Sequence, residues 1–503
     1  MHSRPPARAP AGNGEGFGGG AIKTGTRGLP RSYAKLRTDG RGSRPATDRA
    51  LSAATGTGSS HHPRVRQSPM TKVLPRPLFL ELDLISEQGR ALQQSVAERY
   101  GSKIADAARL ASRMFLLRSP WAPGLRFVGA ETGRRVLSED GATLVPISLG
   151  GSGEELEEAF VSCVGEGIDR LAQIESSGDV VEVASLTEMT GRIWPAAATA
   201  IGQVVASRAL GEDTPLAWVA GKKFDPAFSS DGGCEILLPA DWCLRRVKDQ
   251  THLSPLASLS VGVAAGPTFD WAASRAVLEL IERDAASLWW IGGRRGKAIP
   301  LDQPAMSDIV RLVAALRRET NDRALWMLDI TTDIGVPVVA ALSCDEEGRQ
   351  LAYGLASRLS VKEAMRAAIL ELCQTELAIL IAEIKRTEVG EDRLPPTDRC
   401  HVERGASIDA NRCELLHPVG IRVDASEPEA EPEPSAILSA LHRIGIEAAL
   451  VDLTRAEFGI PVVRAVAPAL QLMPSAIVTD RLRREIAASG GGARYTGGIP
   501  LIL

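Results

Sequence analysis

The sequence predicts an α+β fold in which mixed sheets pack against helices. Three observations lead there. Four segments carry apolar residues at helical spacing, short apolar runs between them read as strands, and one strand–turn–strand pattern occurs twice, as in a pseudo-repeated α/β unit. The 503 residues suffice for two to four domains or for one large mixed domain.

Residues 1–69 are rich in Gly, Arg, Ser, Pro and Thr and show no apolar period. They cannot bury enough surface to offset the entropy of ordering, so they read as a disordered basic arm. The arm lacks the apolar centre of a secretory signal, and "MTKVLPRPLFLEL" from Met70 reads as the native start of structured sequence. Residues 70–145 read as an N-terminal helical segment, with Leu92, Val96, Tyr100, Ile104, Ala107 and Leu110 at helical spacing in a helix over 88–117. A larger domain, 146–503, follows. Its first helix, 154–175, is opened by the glycine-rich loop "SLGGSG". The next covers about 270–290 with Asp270 as N-cap, and the last about 360–387, where Ser360 and Glu363 make a capping-box pattern. Strands are expected at 325–330, 337–342, 448–454 and 461–466. Residues 388–434 read as loop, ending in the acidic "EPEAEPEP", a solvated linker near 425–434.

"DITTDIGVPVVAA" from Asp329 and "DLTRAEFGIPVVRA" from Asp452 both run Asp, aliphatic, Thr, then Gly, aliphatic, Pro, Val, Val. Repetition alone allows two similar sheet edges. The sharper reading is a repeated unit around a shared site.

Composition narrows the function. The net charge of −4 hides a basic arm with 12 Lys+Arg against 3 Asp+Glu over 1–69, which leaves 46 against 59 for the rest. That acidic body argues against nucleic-acid binding. No run reaches the roughly 18 apolar residues of a membrane span. Seven scattered cysteines without a C-x-x-C pair fit a reduced, cytoplasmic protein rather than a zinc site or disulfide framework.

The chemistry lies in acids on apolar helices. Glu279, Glu282 and Arg283 share one face at i, i+3 and i+4, and Glu166, Asp169 and Arg170 repeat the spacing. Glu371 and Gln374 add a third oxygen pair inside "AAILELCQTELAIL". Unpaired carboxylates are costly to bury. Any one such helix is more often a salt-bridged flank, whereas three together shift the reading toward oxygen ligands for Mg²⁺ and a nucleotide. No G-x-x-x-x-G-K-[ST] is present. The loop at 148–155 before its helix is a phosphate candidate or an ordinary helix start. Trp289 and Trp290 read as packing anchors, and His252, His401, His417 and His442 are isolated.

"SLGGSGEELEEAFVSCVGEGIDRL" from 148, "SVGVAAGPTFDWAASRAVLELIERDAASLWW" at 260–290 and "EAMRAAILELCQ" from 363, in that order, resemble the three glutamate-bearing motifs of the YcaO superfamily. The resemblance covers about 146–470 and implies a YcaO-type fold. It also implies ATP-dependent activation of a peptide-backbone amide. A nucleophile attacks the amide carbon, the oxygen takes the γ-phosphoryl group, and phosphate leaves. An internal Cys, Ser or Thr then gives an azoline, and external sulfide a thioamide. By position, Glu166, Asp169, Glu279 and Glu282 would hold Mg²⁺ and ATP, Arg283 would contact phosphate, and Glu371 and Gln374 would complete the site. No catalytic residue is assigned.

The resemblance further implies a precursor peptide or protein as substrate, a leader-binding or TfuA-like partner protein, and a homodimer. Departures from the family are Asp169 for its usual Glu, Ser152 where the glycine stretch often has Lys, Glu376 where an Arg often stands (with Arg464 as a substitute), and "TGGIPLIL" in place of a proline-rich tail. Two other classes stay open: a non-catalytic accessory member supporting a partner enzyme or ribosomal-protein modification, and a small-molecule ligase or kinase with a convergent Mg²⁺ site.

Overall fold

The computed structural model describes residues 79–137, 144–224, 233–247, 251–318, 320, 322–422, 434–475 and 477–502. The arm at 1–69, the start at Met70 and all but the last residue of the acidic tract near 425–434 lie outside the described residues.

β1 (Phe79–Glu81), α1 (Glu87–Tyr100), α2 (Ser102–Ala107), β2 (Ala111–Leu117) and β3 (Arg126–Leu137) come first. The helix expected over 88–117 is therefore two helices and a strand. The Ser86 side chain accepts from the Gly89 amide at 3.0 Å to start α1. The helix stops at Gly101, whose φ of +97° suits glycine. Beyond it, β1 and β3 pair with 111–117 from both sides, which overrides any local helical preference. So the segment expected to be helical is mixed. Its sheet, in the order β1-β2-β3-β4, closes with β4 (Leu144–Gly153) and continues across position 145. The glycines of "SLGGSG" are thus strand residues rather than a loop.

There follow α3 (Leu156–Ala172), β5 (Val180–Ala184), α4 (Pro195–Arg208), β6 (Leu216–Lys223), β7 (Cys234–Pro239), β8 (Val263–Ala265) and α5 (Phe269–Trp290). Thr268, not Asp270, caps α5 by accepting from the Trp271 amide at 3.2 Å. Asp270 sits in the first turn, where the helix dipole favours an acid. Next come β9 (Lys297–Ala298), α6 (Ser307–Arg317), β10 (Ala324–Asp329), β11 (Val338–Cys344), β12 (Ala352–Ser357) and α7 (Val361–Val389), the last capped by Ser360. α8 (Pro396–Ser407) occupies part of the stretch expected to be loop. It starts on proline and buries little besides Cys400, Val402 and Arg404, so its apolar face is too short to show a period. α9 (Pro434–Arg443), β13 (Ala449–Asp452), β14 (Val462–Val466), α10 (Asp480–Ser489) and α11 (Ala493–Thr496) complete the described chain.

A second sheet runs β12-β11-β10-β9. A third runs β5-β6-β13-β14-β8, with β7 also on β6, and every named ladder is antiparallel. The sequence echo is one turn used twice. Asp329 Oδ1 accepts from the Thr331 amide, and Thr331 Oγ1 accepts from the Val338 amide across the hairpin. Asp452 and Thr454 do the same, the latter with Val462. The two hairpins lie in different sheets.

A larger repetition organises the molecule. Each acid-bearing helix follows the edge strand of its own sheet: β4 leads to α3, β8 to α5 and β12 to α7. Each then packs on the edge strand of the next unit, α3 on β8, α5 on β12 and α7 on β4, closing a ring of three. Among the described residues no helix is long and apolar enough to cross a membrane.

Candidate functional site

The three strand–helix units hold their acids in the same way. Glu166 Oε2 accepts from the Gly150 amide at 2.6 Å, Glu279 Oε2 from Gly262 at 3.0 Å and Glu371 Oε2 from Leu355 at 3.2 Å. Each amide lies 16 or 17 residues before its glutamate, in or beside the preceding strand. One carboxylate oxygen is thereby fixed by backbone, and the second is left to face other partners. Close approach of helix and strand makes this reach feasible. A Cβ on Gly151 would meet the Cys163 amide of α3 at 2.2 Å, and one on Gly354 would meet the Ala368 carbonyl of α7 at 2.0 Å.

The ring brings the acids of neighbouring helices together. Asp169 on α3 is raised well above the usual carboxylate range by burial, then by Glu279 and Glu166, with the Ala265 amide of β8 opposing. Glu282 on α5 accepts from the Ser357 amide at 3.3 Å, and burial pushes it up to about 8, with Glu371 and Glu279 adding to the rise and Arg283 opposing it. Burial also raises Glu371. Arg283 lies 3.5 Å from Glu279 and 3.7 Å from Glu282, and Arg170 lies 2.6 Å from Glu166. On α7, Gln374 Nε2 donates to Ser152 Oγ of β4 at 2.6 Å. Two cross-helix groups result, Asp169 with Glu279 and Glu282 with Glu371 and Arg283, whereas Gln374 meets β4 and Glu166 stays with its own helix and strand.

The remaining expectations separate from them. Asp284 is fully buried, but it faces Arg481, which donates to it at 2.8 Å, and the Gln471 amide at 2.9 Å. Glu376 is also fully buried. Arg317 holds both its oxygens at 2.6 and 2.8 Å, Arg323 approaches at 3.1 Å, and Ser343 donates to it at 2.5 Å. Position 376 thus ties α7 to α6 and β11 instead of facing the acids. Arg464, buried on β14, donates to the Leu259 carbonyl at 2.5 Å and has Glu279 among its charged neighbours. Trp289 and Trp290 are buried edge to face at 5.3 Å and donate to the Leu415 and Ile499 carbonyls, so they anchor α5.

Among the described residues, no three His, Cys, Asp or Glu side chains already stand close enough to share an ion. The fit to a cation lies in the unsatisfied oxygens. Asp169 Oδ1 is buried without a partner, and two groups of acids raise one another's proton affinity. An all-oxygen donor set of this kind suits a hard divalent cation such as Mg²⁺.

A family model described as YcaO cyclodehydratase, ATP- and Mg²⁺-binding, matches residues 150–471. The chain belongs to the YcaO family. The match spans all three acid helices, so the YcaO motifs and the ring coincide. An uncharacterized protein of Methanothermobacter thermautotrophicus is 26% identical over 260 residues, 50% of this chain and 63% of the relative. The fold is similar to that of a heterocyclase in complex with substrate and cofactor (TM-score 0.58, 18% identity, 76% of this chain and 52% of that one). It is similar also to YcaO from Methanopyrus kandleri bound with AMPPCP and Mg²⁺ (TM-score 0.53, 18% identity, 75% and 91%), and to the E. coli microcin synthetase McbBCD complex (TM-score 0.51, 16% identity, 71% and 88%). The chain thus spans less than two thirds of the first relative and of the first heterocyclase.

Two cations of this YcaO site escaped the sequence reading. Arg275 has Glu282, Glu363 and Glu279 among its charged neighbours, and Arg358 has Glu282 and Glu371. A signal existed for Arg275, which lies four residues before Glu279 on one helical face. None existed for Arg358, placed by the turn between β12 and α7.

Proposed function

We propose that this YcaO chain uses ATP and Mg²⁺ to activate a backbone amide of a ribosomally made peptide or protein, leading to an azoline or a thioamide. The observation that carries the reading is the thrice-repeated glutamate held by a strand amide, with Asp169, Glu282 and Gln374 completing the inner face. The Gly150, Gly262 and Leu355 amides orient one oxygen of each glutamate, so rotation of the carboxylates is restricted before anything binds. Glu166, Asp169, Glu279 and Glu282 are the oxygens assigned to the metal. Arg283, set between Glu279 and Glu282, is placed to balance phosphate, and Glu371 and Gln374 to hold the nucleotide. When bound, Mg²⁺ neutralises the phosphates, and ATP supplies the phosphoryl group that the amide oxygen takes as ADP leaves. The heterocyclase and the microcin synthetase complex among the similar structures support a peptide substrate and a partner protein. A cytoplasmic setting provides the ATP.

The test is ADP formation by the purified chain with ATP, Mg²⁺ and peptides encoded beside it. Glu279→Gln is expected to lower the rate by about a hundredfold or more. Loss of water from the peptide would identify an azoline, and exchange of oxygen for sulfur a thioamide. An unchanged rate in the variant removes Glu279 from the site. ATP binding without ADP formation, with any such peptide and partner, sinks the enzyme reading in favour of an accessory role.

A further inference from the structure

The positive charges around the acid face are not equivalent. Arg283 is shared between two glutamates, Arg170 is paired with Glu166, and Arg366 with Glu154 and Glu158. Arg275 and Arg358 have no ion-pair partner within 4 Å among the described residues. Arg358 Nη1 donates only to the adjoining Ser357 carbonyl at 2.7 Å. The Arg275 guanidinium lies over the Trp271 ring at 5.2 Å, and Trp271 is 45% exposed, so this stack borders open space. The ring is itself seated on Gly266, where a Cβ would come within 2.3 Å of it.

Arg275 and Arg358 come from different elements and face each other's charge. Burial and Arg358 together pull Arg275 down to about 10, with Glu282, Glu363 and Glu279 opposing, and burial lowers Arg358 as well. Ser357, next to Arg358 in the chain, is fully buried. Its amide is committed to Glu282, while its hydroxyl oxygen has no partner. Two half-buried cations and an idle hydroxyl before the first turn of α7 are arranged for an anion.

We propose that Arg275, Arg358 and Ser357 form the subsite for the terminal phosphate of the bound nucleotide, and that Trp271 is a positioning residue that orients Arg275. This rests on the nucleotide reading above. Arg283 then serves the phosphates nearer the metal, and the Arg275–Arg358 pair distinguishes a triphosphate from a diphosphate.

Calorimetric titration of the full chain with Mg·ATP and with Mg·ADP tests it. Arg275→Gln and Arg358→Gln are each expected to weaken Mg·ATP binding roughly ten- to a hundredfold while Mg·ADP changes by less than about twofold. Trp271→Leu is expected to weaken Mg·ATP several-fold with the same indifference to Mg·ADP. Arg275→Lys and Arg358→Lys keep the charge and are expected to lose less than the Gln variants. They also carry the test if a Gln variant does not melt cooperatively. Equal losses for both nucleotides, or no loss for either, overturn the subsite while the nucleotide reading stands. A wild-type chain that binds neither nucleotide overturns that reading, and the subsite with it.

Discussion

Gly354 lies on β12 under α7, where a methyl group would stand 2.0 Å from the Ala368 carbonyl and 2.3 Å from the Leu372 amide. These are backbone atoms, so no rotamer change relieves the clash. Gly354→Ala is expected to cost about 1–3 kcal/mol or more and to lower the thermal midpoint. A variant melting with the wild type would contradict the close helix–strand packing that lets Glu371 reach the Leu355 amide. His401 makes a second prediction at this scale. Burial, then Arg404, lowers it to about 4 from an ordinary 6.5. Because the unfolded chain takes up the proton first, its contribution is present above pH 6.5 and is lost as pH falls toward 4. Wild type should therefore lose at most about 3 kcal/mol more than His401→Asn over that window. Parallel acid curves would show His401 to be solvated. Single residues were legible where spacing declared them, as at Glu279 and Glu282. Thr268 was passed over as cap because Asp270, in the first turn, offers the same chemistry in sequence. Arg358 was hidden because its partners come from α5.

The elements divide by what fixes them. α5 and α7 announced themselves through long apolar periods and, for α7, the Ser360 cap. α3 did so through its acids. β2 was misread because pairing on both sides decides it, and that information lies in β1 and β3 rather than in 111–117. The glycines of β4 resemble a loop in sequence because they are chosen for close packing, Gly151 and Gly153 under α3 and Gly150 against Phe127, not for strand propensity. Glu376 belongs to the same scale. Its position read as a lost arginine of the site, yet it fastens α7 through Arg317, Arg323 and Ser343. Removing one partner of such a buried network strands the others, so Glu376→Ala is expected to cost about 3–5 kcal/mol. Denaturant unfolding checks this, and a change below about 1 kcal/mol would contradict a structural role.

At the scale of the whole molecule, the three motifs are three turns of one ring: an edge strand, a helix, and contact with the next edge strand. The order of the motifs was readable, and so was the Asp–Thr hairpin echo. Ring closure was not, because α3 meets β8, α5 meets β12 and α7 meets β4 across long stretches of intervening chain, in the last pair running backward. Closure is what collects carboxylates that otherwise repel one another, and a triphosphate alone would add to that repulsion. The most direct measurement is ATP affinity of the full chain with Mg²⁺ and after its removal by a chelator. Binding is predicted to need Mg²⁺, falling by about a hundredfold or more without it. ATP binding equally well in chelator would contradict a site built from converging acids.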